Sequence, residues 1–172
     1  MISIEIFISC GDEVDDLRNV GNDVLRRLDH MLTNEMNLGE VVVRNWDFRL
    51  DAPRVVDPGH LATRSLRMVE KSNALVAIFG AELPIITQQE IRRVCEMRRD
   101  GLDVEVFVFV DHALRTPEQA QFFAELANDY AQQIVYAQYQ TELEFQAGLF
   151  TALTPFVLRR SGLSYSPPAV AA

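Results

Sequence analysis

A chain of 172 residues, 48% hydrophobic and 24% charged, has the size and composition of one globular domain with a sizeable core. Wholesale disorder, collagen-like repetition and a disulfide scaffold are excluded. The 25 acidic residues outnumber the 16 basic ones, and the formal charge of −9 opposes attraction to a phosphate backbone or an anionic membrane surface, so neither nucleic acid nor a membrane is expected as a partner.

Residues 2–9 form a short β-branched run that meets the turn-prone, acidic Gly11-Asp12-Glu13, a strand followed by a loop. Val14, Leu17, Val20, Val24, Leu25, Leu28 and Leu32 then recur at three- and four-residue steps, which predicts an amphipathic helix. Val41-Val42-Val43 leads a second strand to Trp46, and residues 47–59, broken by Pro53, Pro58 and Gly59, read as a long loop. Leu61, Leu66 and Val69 mark a helix ending near Lys71, before the almost wholly apolar strand 74–79.

Thr87 is expected to cap the next helix, which Ile91, Val94, Cys95 and Met97 carry to a stop at Asp100-Gly101. Residues 104–110 are the fourth strand. Thr116-Pro117-Glu118 opens a helix to about Asn128, residues 134–139 are the fifth strand, and Thr141 with Glu144 opens the last helix, to about Arg160. The longest apolar runs, 74–79 and 104–110, fall far short of the ~20 residues that cross a bilayer.

Strands alternating with helices, without a hairpin signal, predict an α/β fold: a doubly wound, five-stranded parallel sheet in a three-layer sandwich. Residues 1–160 are expected to form this domain and 161–172, with Ser166-Pro167-Pro168, a flexible tail. Reversal of strand order places a crevice at the carboxyl ends of the strands, near residues 10–14 and 80–87. Cys10 and Cys95 lack zinc-type spacing and no signal-peptide pattern precedes them, which points to reduced thiols and a cytoplasmic location. His30, His60 and His112 fall on different elements without metal-ligand spacing, so no metal is expected.

Among doubly wound folds, a phosphate-accepting receiver would need an Asp ending the third strand, where Phe79-Gly80 stands. Asp12, Glu13, Asp15 and Asp16 would repel the phosphate of a flavodoxin loop, and neither a dinucleotide-binding nor a P-loop glycine motif occurs. The segment Phe7-Ile8-Ser9-Cys10-Gly11-Asp12-Glu13, continued by Asp16-Leu17, resembles the first-strand signature of TIR domains and of the TIR-like DUF4062 group. Trp46 and the loop after it, Ser72 before an apolar strand, and Thr87-Gln88-Gln89-Glu90 follow in the order of that family. Two departures stand out: Val20-Gly21 replaces a Glu-Arg pair of the DUF4062 pattern, and Gly80-Ala81-Glu82-Leu83 replaces its Gly-x-x-Tyr-Gly.

The resemblance implies a flavodoxin-like, TIR-like sandwich, oligomerisation through that domain, a part in bacterial immunity or signalling, and NAD or a related nucleotide as substrate rather than cofactor. Glu90 stands where active TIR domains carry their essential glutamate, and one carboxylate beside an oxocarbenium-like sugar can promote release of neutral nicotinamide. The same Glu90 forms an S/T-x-x-E capping box with Thr87, which closes a helix without catalytic purpose. Ser9, Gly11 and Asp12 would line the crevice mouth as substrate-binding residues or be a solvated acidic turn; Trp46 would stack on a base or pack in the core. A non-catalytic TIR-like interaction module and a nucleoside deoxyribosyltransferase-like enzyme are the competing readings.

Overall fold

The computed structural model describes residues 2–46, 58–113, 115–130 and 134–163, with the side chains of Trp46 and residues 58–61 outside that description. Strand β1 (Ile2–Cys10) runs through a 3-10 turn (Asp12–Val14) into α1 (Asp15–His30), whose last turn widens over Met31–Glu35. There follow β2 (Val41–Trp46), α2 (Pro58–Lys71), β3 (Ala74–Phe79), α3 (Ile85–Arg99), β4 (Glu105–Asp111), α4 (Pro117–Asp129), β5 (Ile134–Tyr139) and α5 (Glu142–Arg160).

All neighbouring strands are parallel, in the order β2-β1-β3-β4-β5. The fold is the expected doubly wound α/β sandwich, flavodoxin-like and TIR-like. Side chains alternate across each strand, and the chain fills both faces of the sheet. Ile4, Ile6, Ile8, Val76, Ile78, Phe107 and Phe109 pack against α1 and α5, while Phe7, Leu75, Ala77, Phe79, Val106 and Val108 pack against α2, α3 and α4. Every residue of β3 is buried, as its unbroken apolar run requires. Edge-to-face pairs Phe107–Phe156 and Phe109–Phe145, with centroids 5.8 and 5.3 Å apart, lock α5 to the sheet. The edge strand β5 divides its tyrosines: Tyr139 is buried and donates to the Phe79 carbonyl at 3.1 Å, whereas Tyr136 is 40% exposed beside Phe123.

Helix ends follow local chemistry where hydroxyls are available. Thr116 and Thr141 accept from the N–H groups of Gln119 and Glu144, and Glu144 returns to accept from Gln140 N–H at 2.8 Å. Gly101 and Gly162 take φ of 87° and 82° just past α3 and α5, the left-handed turn that ends a helix. Two expectations are corrected. Pro58 and Gly59 belong to the first turn of α2 rather than to a loop, because proline lacks only an N–H that a first turn leaves unused. Helix α3 begins at Ile85 with Pro84 as its N-cap, so Thr87 lies inside the helix instead of capping it. Of the expected loop, residues 47–57 lie outside the described residues, as does most of the expected tail, 164–172.

Candidate functional site

Strand order reverses between β1 and β3, and their following connections part to leave a cleft of about 500 Å³ at the carboxyl ends of the strands. Its walls include Ser9, Cys10, Gly11 and Asp12 after β1, Arg18 from α1, Ser65 from α2, and Glu82, Pro84, Ile85, Ile86, Thr87 and Glu90 around the start of α3. Ser9, Gly11, Asp12 and Glu90, expected at this crevice, therefore meet there. Trp46 ends the neighbouring strand β2 opposite Phe7 in the register, but its side chain lies outside the described residues.

Glu90 is 1% exposed. Its Oε1 accepts from the Ser65 hydroxyl, and its Oε2 has no hydrogen-bond partner among the described residues. The capping-box reading is thereby corrected: Glu90 sits in the second turn of a helix capped by Pro84, and its carboxylate turns to α2 rather than back to the α3 terminus. Burial pushes the carboxyl above its ordinary value, while the Ser65 hydroxyl, the Ser9 hydroxyl and the Arg18 guanidinium, in that order, favour the charged form. Burial wins because removing a carboxylate from water costs more than two hydroxyl dipoles and one guanidinium return here.

Ser9 and Thr87 share a buried hydrogen bond of 2.9 Å that ties the end of β1 to the first turn of α3. Arg18 spans the same corner, donating to the carbonyls of Ile8 at 3.1 Å and Cys10 at 3.5 Å and to Asp15 at 3.2 Å. Gly11 permits a close approach of protein to protein: a Cβ there would stand 2.9 Å from Pro84 Cγ, so its small size lets the two cleft loops touch. The far wall is pinned by Gln119 of α4, whose amide donates to the carbonyls of Gly80 at 2.6 Å and Glu82 at 2.9 Å.

Sequence reasoning missed Ser65, Arg18, Glu82 and Gln119. For Ser65 a signal existed: it shares a helical face with Met68 and Val69, which α2 turns to the core, where a lone hydroxyl must find a partner. Among the described residues no three His, Cys, Asp or Glu side chains gather as a metal site would need, and no helix is long and apolar enough to cross a membrane.

The buried Glu90 carboxylate, with the hydroxyls of Ser9, Ser65 and Thr87 near it, lines a cleft at the switch point of a doubly wound sheet of TIR-like fold. Comparisons with known proteins agree at the level of fold. The RPS4 and RRS1 TIR domain heterodimer superposes with a TM-score of 0.54 at 14% identity, over 93% of this chain and 99% of that one. The CMP N-glycosidase BcmB of Clostridium botulinum gives 0.50 at 12% identity, over 84% and 97%. The rubredoxin oxygen:oxidoreductase of Desulfovibrio gigas gives 0.50 at 7% identity, over 92% of this chain but 36% of that one. No protein-family model and no curated protein matches the chain in sequence, so the DUF4062 resemblance rests on the residues quoted for it.

Proposed function

We propose that this chain binds NAD or a related nucleotide in the cleft between β1 and β3 and hydrolyses its N-glycosidic bond, with Glu90 as the catalytic carboxylate. The observation that carries this reading is the buried Glu90 in the wall of the cleft, whose Oε2 has no hydrogen-bond partner among the described residues. A carboxylate oxygen held dry beside C1′ gains in effect as positive charge develops on the sugar. The C1′–N bond breaks with its electron pair passing to the base, Glu90 steadies or traps C1′, and water supplies the hydroxyl that ends on C1′ while releasing a proton. Exposed Ile85 and Ile86 offer an apolar rim on which a flat base can pack. The fold shared with a CMP N-glycosidase and a TIR domain heterodimer supports an N-glycosidic reaction class; a part in immunity or signalling rests on the sequence resemblance.

The test is release of free base from NAD and from a set of nucleotides that includes CMP, followed chromatographically over a range of protein concentrations. Glu90→Gln should lower the rate by about a hundredfold or more while the protein stays folded. Release that survives this substitution would remove Glu90 from the reaction. Exchange of bases between deoxynucleosides, with NAD untouched, would instead indicate a deoxyribosyltransferase-like enzyme.

A second reading, a non-catalytic module that associates with its own kind, is favoured by one feature. Val135 and Tyr136 stand 43% and 40% exposed on the edge strand β5. Sedimentation that shifts with concentration in the parent, and no longer shifts in Tyr136→Glu, would support this surface.

A further inference from the structure

Ser65 and Glu90 sit on different helices, 25 positions apart, and are 5% and 1% exposed. A buried helical serine usually satisfies its hydroxyl on the carbonyl one turn back, as Ser72, just past the end of α2, does with Met68 at 2.9 Å. Ser65 reaches across to Glu90 instead and donates to Oε1, while Oε2 has no hydrogen-bond partner among the described residues. We propose that Ser65 is a positioning residue for Glu90: its hydroxyl holds Oε1 and leaves Oε2 as the oxygen presented to a ligand in the cleft. That the ligand is a sugar rests on the N-glycosidase reading above; the hold on the carboxylate does not.

The groups around this carboxylate come from several elements. Ser65 lies on α2, Ser9 on β1, and Arg18 on α1 with Asp15 on its guanidinium. Asp12 and Glu82 line the same cleft from the loops after β1 and β3. Ser65 is the strongest of the groups that favour the charged form. Because a donor to the carboxylate stabilises its ionised form, losing that donor moves the titration upward.

The experiment is a carbon NMR titration of protein carrying 13C-labelled glutamate, the Glu90 signal being assigned by its absence in Glu90→Gln. Ser65→Ala should raise the midpoint of that signal by about one pH unit or more, and Ser65→Thr, which keeps the hydroxyl, should return it towards the parent. Ser65→Cys, close in volume but a weak donor, should shift it in the same direction as Ser65→Ala, and serves if the alanine variant does not fold. An unchanged midpoint in a folded variant lacking the hydroxyl overturns the proposal. In base-release assays the acidic limb of the pH–rate profile should move up with the same midpoint, with kcat reduced and KM little changed. A shifted midpoint in a protein that releases no base upholds the role of Ser65 and sinks the glycosidase reading; base release with an unshifted midpoint does the reverse.

Discussion

The hydroxyls of Ser9 and Thr87, both buried, meet at 2.9 Å and join the carboxyl end of β1 to the first turn of α3. Removing either hydroxyl takes this buried hydrogen bond from its partner. Thr87→Val should destabilise the fold by about 1–3 kcal/mol, and Ser9→Ala with Thr87→Val together by less than the sum of the two. Denaturant unfolding of the two singles and the double measures this coupling; strict additivity would deny it.

Glu90 also writes a pH dependence into stability. Its carboxyl is raised above the ordinary 4.5 in the folded protein and returns to that value on unfolding. Between the two values the native state holds a proton that the unfolded chain has released. The stability linked to that proton is complete below the unfolded value and is lost as pH rises through the folded one. Glu90→Gln abolishes this slope, so its melting temperature relative to the parent should climb as pH rises above the ordinary carboxyl value of 4.5. A constant difference across that range would show that Glu90 does not titrate as its burial requires.

Gln119 holds the wall of the cleft through two carbonyls, the buried one of Gly80 and the part-buried one of Glu82. Gln119→Leu keeps much of the volume but removes both donors, and should cost about 1–3 kcal/mol. Gln119→Glu should be worse at neutral pH, because a buried carboxylate would face two carbonyl oxygens. Unfolding curves of the two variants, ranked against each other at acid and neutral pH, decide the point.

Two glycines give opposite expectations. A Cβ on Gly80 would lie 2.7 Å from Glu13 Oε1 and 2.8 Å from Val14 Cγ1, whereas one on Gly39 would meet nothing within 4 Å. Gly80→Ala should destabilise by about 1–3 kcal/mol through overpacking, and Gly39→Ala should be neutral or stabilising by a few tenths. Thermal melts of both variants are sufficient. A tolerated Gly80→Ala would mean that the turn between β1 and α1 yields easily.

Much of this architecture is local and was legible in the chain. The threefold and fourfold steps of α1, the unbroken apolar run of β3 and the hydroxyls at Thr116 and Thr141 act over one or two turns, so periodicity and capping report them directly. The strand–helix alternation also dictated a parallel sheet, because parallel neighbours need crossovers, and with it the place of the crevice. What Thr87 and Glu90 do was decided by the tertiary structure alone. Their spacing satisfies a capping box, but Pro84 takes the cap, and packing of α3 against β1 and α2 supplies partners for them at Ser9 and Ser65, 78 and 25 positions away. A helix pattern states which face turns inward; which buried hydroxyl or carboxylate it meets there depends on how three elements close over one cleft, and that contact fixes the charge and orientation of Glu90.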